Sequence, residues 1–160
     1  MLSAADSREL GPLRLGADTL NAARRDIVSA VYSKAPLRVA FANTHLLYCA
    51  LKDRRFAELM RSFYLVNDGV GVDLLARVSS GRGFLENLNG TDLTPKLLQA
   101  MPWGTRIMLV GSRPAVVRAV AARAQQIWPH LEVCGSHDGF EGKTRALEAL
   151  QELRPSVVLV

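Results

Sequence analysis

Cysteine is scarce in this chain of 160 residues: Cys49 and Cys134 are the only two, each in an apolar stretch. Two thiols build no disulfide framework, and buried, inert thiols in a reducing compartment are the expectation. Histidine is sparse as well. His45, His130 and His137 contain no i,i+4 pair and no Cys-x-x-Cys accompanies them, which argues against a metal site. No Asp-x-Asp ends a strand, so a metal-held diphosphate is not indicated. There is no Gly-x-Ser-x-Gly elbow and no Gly-Lys-Ser/Thr phosphate loop. Gly69-Val70-Gly71 imitates the start of a dinucleotide fingerprint but lacks its third glycine. No cofactor is therefore expected. No run approaches the roughly 18 apolar residues of a membrane span. The first ten residues, MLSAADSREL, have no signal-peptide core. The expected location is cytoplasmic or peripheral to a membrane.

What is present is globular: 49% hydrophobic and 22% charged residues. At this size one domain, residues 1–160, buries roughly two-thirds of its unfolded surface. The net charge of +5 favours acidic partners such as anionic lipid or phosphorylated small molecules. The basic residues are scattered, with Arg24-Arg25 and Arg54-Arg55 the densest pairs, and they do not interleave with aromatic residues as a nucleic-acid stripe would. They read as solvated helix faces, and no nucleic-acid partner is expected.

Breakers at Gly11, Pro12 and Gly16 predict an irregular arm over the first 17 residues. Apolar spacing then predicts a helix to about Ser33, opened by Asp18 or Thr19. Strands are expected at 37–42, 63–66, 106–110, 131–134 and 157–160. Helices are expected from Thr44 as cap, and at 54–61, 70–78, 92–100, 114–128 and 143–153. Residues 135–142 read as a loop. This alternation predicts an α/β fold, a Rossmann-like and mainly parallel sheet flanked by helices. The chain stops in a buried-type strand, Val157–Val160, so a fragment lacking its C-terminal end is the expectation.

In such a sheet the loops after the strands gather at one edge. They carry Asn43-Thr44-His45, Asn67-Asp68-Gly69, Gly111-Ser112-Arg113 and His137-Asp138-Gly139-Phe140. Asp68 can act as a general base toward a sugar hydroxyl about 3 Å away, or simply cap a helix. Asn43 can bond a hydroxyl or serve a turn, and Thr91-Asp92 can cap a helix or reach the same crevice. Asp73 reads as an exposed helix residue. The glycines after Asp68 allow close approach of a ligand. Gly111-Ser112 opens a helix whose N–H groups can hold phosphate.

Five segments in order resemble one family. They are Phe41-Ala42-Asn43-Thr44-His45-Leu46, Val66-Asn67-Asp68-Gly69-Val70-Gly71-Val72, Glu86-Asn87-Leu88-Asn89-Gly90-Thr91-Asp92-Leu93, Met108-Leu109-Val110-Gly111-Ser112 and Ser136-His137-Asp138-Gly139-Phe140. Together they resemble the WecG/TagA/CpsF glycosyltransferases (glycosyltransferase family 26). The resemblance implies a Rossmann-like, inverting, metal-independent enzyme. It would move a hexose, of glucose or N-acetylmannosamine type, from a UDP-sugar to a polyprenyl-diphosphate-linked saccharide at the inner face of the membrane. Asp68 would be the base. Asn43 would help hold the acceptor, Asn87, Thr91 and Asp92 would bind substrate, and Gly69, Gly111, Ser112, Gly139 and Phe140 would bind the donor. Homo-oligomer formation is left open. Two departures stand out: Phe41 replaces a Thr and Asn87 an Arg found in many members. The Asn87–Asp92 string is closer to the exopolysaccharide branch, such as the xanthan β-1,4-glucosyltransferase. A non-catalytic domain that binds nucleotide or a partner is the alternative.

Overall fold

The computed structural model describes residues 6–140 and 143–160. The chain is α/β and divides into two compact units, one holding the chain up to Ala30 with Ala35–Leu97, the other Val31–Lys34 with Leu98–Val160. Instead of one expected sheet there are two, one in each unit.

The first unit opens with β1 (Ser7–Leu10) and β2 (Leu13–Gly16), an antiparallel hairpin where an irregular arm was expected. Gly11 and Pro12 break the chain only to turn it, and Gly11 takes a φ of 59°. The strands on either side alternate, with Leu10, Leu13 and Leu15 buried and Glu9 and Arg14 outside. Arg8 is buried too. It pairs with Asp6, and its Nε donates to the Gly83 carbonyl at 3.0 Å. Without those partners a buried guanidinium would be strongly destabilising.

Beyond the hairpin come α1 (Leu20–Tyr32), β3 (Val39–Ala42), α2 (Thr44–Lys52), α3 (Arg54–Met60), β4 (Tyr64–Asn67), α4 (Val70–Ser80) and α5 (Gly90–Ala100). The sheet order is β1-β2-β4-β3, and both β2 and β3 run parallel to β4. Leu65 and Phe84 pack with Val72 and Ala76 of α4 and with the hairpin leucines in one core. The Tyr64 hydroxyl donates to Asp18 at 2.6 Å, just before α1. Burial and that carboxylate hold the phenol's pKa far above its ordinary value of 10.

The second unit holds β5 (Thr105–Val110), α6 (Pro114–Ile127), β6 (Leu131–His137), α7 (Lys143–Leu153) and β7 (Val157–Leu159). Its sheet is fully parallel, in the order β6-β5-β7. Central β5 carries the buried Ile107, Met108 and Leu109, the continuous apolar run of a strand covered on both faces. β6 runs on through Gly135–His137, part of the expected loop, because a register shift beside Ile107/Met108 lets the ladder continue past Gly135. The end of that expected loop, 141–142, lies outside the described residues.

If the hairpin is core rather than arm, Leu15→Ala removes a fully buried side chain and costs about 2–5 kcal/mol. Urea unfolding of the variant checks this; a loss within about 0.5 kcal/mol is what a surface position would give.

Candidate functional site

Strands β3 and β4 end level with each other. Ala42 pairs with Asn67, and the Asp68 N–H donates to the Ala42 carbonyl at 3.0 Å. Asn43 and Asp68 therefore leave the sheet side by side, at the carboxyl ends of neighbouring parallel strands. Asn43 is extended and caps α2, its Oδ1 accepting from the Leu46 N–H at 2.9 Å. That is the cap expected of Thr44. With Oδ1 used, its exposed amide N–H₂ has no partner among the described residues.

Asp68 is half-buried and does not cap α4. Gly69 occupies the cap position with φ 96° and ψ 157°, a backbone open to glycine and strained for other residues, and it offers no side chain. The N–H of Gly69 is accepted instead by Asn87 Oδ1, at 2.8 Å. The Asp68 carboxylate is left without a hydrogen-bond or ion-pair partner among the described residues. Gly71 serves packing rather than a ligand: a Cβ there would lie 2.8 Å from the Thr44 methyl.

The segment after α4 is tied down along its length. Asp73 accepts from the Phe84 N–H at 2.7 Å through one oxygen and from Arg77 Nε at 2.7 Å through the other. It is thus a loop anchor, not the exposed helix residue expected. The Glu86 carbonyl accepts from Asn67 Nδ2 at 2.9 Å, and its carboxylate caps α1 at the Leu20 N–H, 2.8 Å away. Asn67, Gly69, Val70, Asp73 and residues 84–87 enclose a cavity of about 210 Å³. Sequence reasoning passed over Asn67, Glu86 and Asn89. The one available signal for the first was a polar residue closing an apolar strand.

Asn87 is placed on the backbone of the Asp68 turn. Thr91 and Asp92 are both engaged by Asn89, which caps α5: the Thr91 hydroxyl donates to Asn89 Oδ1 at 2.6 Å, and Asp92 Oδ2 accepts from Asn89 Nδ2 at 2.8 Å. The Asp92 N–H donates to that same Oδ1 at 2.9 Å.

In the second unit the loops after β5 and β6 are zipped together. The Gly111 N–H donates to the His137 carbonyl at 2.9 Å, and the Gly139 N–H to the Ser112 carbonyl at 3.1 Å. A Cβ on Gly139 would lie 3.0 Å from Gly111 Cα, so only glycine lets the loops meet. Gly111 has φ 138° and Ser112 φ 59°. Beyond them α6 starts with Pro114 and no side-chain cap, which leaves its N-terminal partial charge to other anions. Phe140 is exposed beside a turn closed by the Asp138 carboxylate. Among the described residues no three His, Cys, Asp or Glu side chains gather as a metal would require, and no helix is long and apolar enough to cross a membrane.

The bonds from Arg77 and from the Phe84 N–H hold the Asp73 carboxyl below its ordinary value near 3.8. A depressed folded pKa contributes stability above the unfolded value, and that contribution disappears as pH falls through the folded one. Asp73→Asn should therefore lower stability at neutral pH, and the gap to wild type should narrow below about pH 3.8. Urea unfolding across that range measures it; a gap independent of pH would contradict the assignment.

One curated relative is the N-acetylglucosaminyldiphosphoundecaprenol N-acetyl-beta-D-mannosaminyltransferase of Bacillus subtilis (strain 168). It is 25% identical over 125 residues, which are 76% of this chain and 48% of the relative. The chain thus spans about half the length of that relative. The model of the Glycosyl transferase WecG/TagA/CpsF family matches residues 9–160, from the β1–β2 hairpin through β7. The chain belongs to the WecG/TagA/CpsF family of glycosyltransferases.

Proposed function

We propose that this chain carries the catalytic base of an inverting transfer of a hexose, of glucose or N-acetylmannosamine type, from a UDP-sugar to a polyprenyl-diphosphate-linked saccharide. The step serves exopolysaccharide or other cell-surface polysaccharide synthesis, with the protein held peripherally at the inner face of the membrane. The relative's name, an N-acetylmannosaminyl transfer to a lipid diphosphate sugar, supports the substrate class.

One observation carries the mechanism: the Asp68 carboxylate stands unpartnered beside Asn43 at the ends of paired parallel strands. An acceptor hydroxyl bonded to Asp68 gives up its proton as its oxygen attacks the donor's anomeric carbon. The new glycosidic C–O bond forms while the bond from that carbon to the diphosphate oxygen breaks, inverting the carbon and releasing UDP. The free amide N–H₂ of Asn43 suits a second acceptor oxygen. Taken by itself, the uncapped start of α6 behind Gly111 and Ser112 in the second unit suits a diphosphate through its backbone N–H groups. Gly139 packs against Gly111 and so holds that loop in place, and the exposed Phe140 ring suits the uracil face.

Asp68→Asn keeps the shape and removes the base. It should lower kcat by at least about a hundredfold, with the circular dichroism spectrum unchanged. Turnover at the wild-type rate would reject the role. A screen of UDP-glucose and UDP-N-acetylmannosamine against polyprenyl-linked glucose and N-acetylglucosamine decides which substrates are used.

A further inference from the structure

Asn67 is part of the wall of the cavity beside the Asp68–Gly69 turn. It is 1% exposed, and its Oδ1, buried in that wall, has no hydrogen-bond partner among the described residues. Its orientation is set by the other end of the amide: Nδ2 donates to the Glu86 carbonyl, and reversing the group would oppose two oxygens. Leaving such an acceptor unmet costs about 1–3 kcal/mol, so a donor supplied from outside gains that much in affinity.

The other walls narrow what that donor belongs to. The other polar side chains of the lining are engaged: both Asp73 oxygens by Arg77 and the Phe84 N–H, one Glu86 oxygen by the Leu20 N–H, and Asn87 Oδ1 by the Gly69 N–H. Two carboxylates line the cavity and no lysine or arginine does, which disfavours a phosphate or a uronate. Val70 and Leu85 line it as well, and both are largely exposed, at 83% and 63%. A volume of about 210 Å³ is equivalent to about seven waters. It is smaller than the about 300–1,000 Å³ of drug-sized pockets.

We infer that this cavity receives the neutral sugar of the lipid-linked acceptor, with Asn67 Oδ1 accepting a hydrogen bond from one of its hydroxyl or amide N–H groups and Val70 and Leu85 meeting its C–H face. Asn67 is then a specificity-determining residue. This rests on the glycosyl-transfer reading for the identity of the ligand, and its test is a binding measurement that needs no turnover.

Short-chain prenyl-diphosphoryl glucose and N-acetylglucosamine are titrated calorimetrically into the full chain, with UDP-glucose titrated separately. Leu85→Trp, at an exposed position that tolerates bulk, should weaken binding of at least one acceptor about tenfold or more and leave UDP-glucose within about twofold. Deoxy and deacetylated acceptors locate the donor group. Removing it should cost about tenfold in the wild type and nothing further in Asn67→Ala, the signature of a direct pair. The two acceptors distinguish an amide N–H from a hydroxyl as its source. If Asn67→Ala does not fold, Leu85→Trp alone decides. Unchanged acceptor affinity in Leu85→Trp, or a loss confined to UDP-glucose, overturns the assignment. Loss of turnover in Asp68→Asn alongside unchanged acceptor binding in Leu85→Trp would spare the transfer mechanism and reject only this subsite.

Discussion

Four rungs of parallel ladder, Val39–Ala42 against Tyr64–Asn67, determine where two polar strand ends fall. A parallel ladder fixes both ends at once, because a slip of one residue would turn every side chain to the opposite face. The core enforces the register from both sides: Leu65 is needed inward among the hairpin leucines, and Ala42 sits beneath them with no exposed surface. With that register held, Asn43 and Asp68 can only emerge together. The hairpin belongs to the same constraint, since Gly16 pairs with Val66 and makes β4 an interior strand.

Helix N-termini are treated in two ways in this fold. An α-helix begins with N–H groups that need acceptors, and the residue before it is the usual supplier. Asn43, Asp53 and Asn89 do this locally for α2, α3 and α5. The two helices behind the glycine-bearing loops do not follow the rule. α4 takes its acceptor from Asn87, eighteen positions along the chain, and α6 has no side-chain cap. In both, the strand-to-helix turn keeps its own polar groups available.

Much of this was legible beforehand because it depends on local chemistry. Helical spacing and glycine positions located α1, α4 and α6 closely, and the apolar run at Ile107–Leu109 announced a strand buried on both faces. The failures have a different cause. β1 and β2 are four residues each, too short for their alternation to outweigh Gly11, Pro12 and Gly16; they pair with each other along their length, and β2 joins β4 at Gly16. The role of Asp73 was hidden for a similar reason, its partner Phe84 lying eleven positions away in a loop without periodicity. Asn43 and Asp68 stand where strand ends place them, while the bonds that tie Thr91 and Asp92 to Asn89, and Asn87 to the Gly69 N–H, are contacts that no spacing announces.

Asparagine at position 87, where the resemblance leads one to expect arginine, has a physical consequence. A guanidinium has five donors and no acceptor, so it cannot take the Gly69 N–H as Asn87 does. An arginine here would bring positive charge to the Asp68 turn and leave α4 uncapped by any side chain. Asparagine makes the opposite exchange: the helix start gains an acceptor and the turn stays without a cation. A carboxylate beside a fixed guanidinium is held ionised and made a weaker proton acceptor. Without it the Asp68 turn has no such neighbour, and Asn87 holds the Gly69 backbone, on which the position of the Asp68 carboxylate depends.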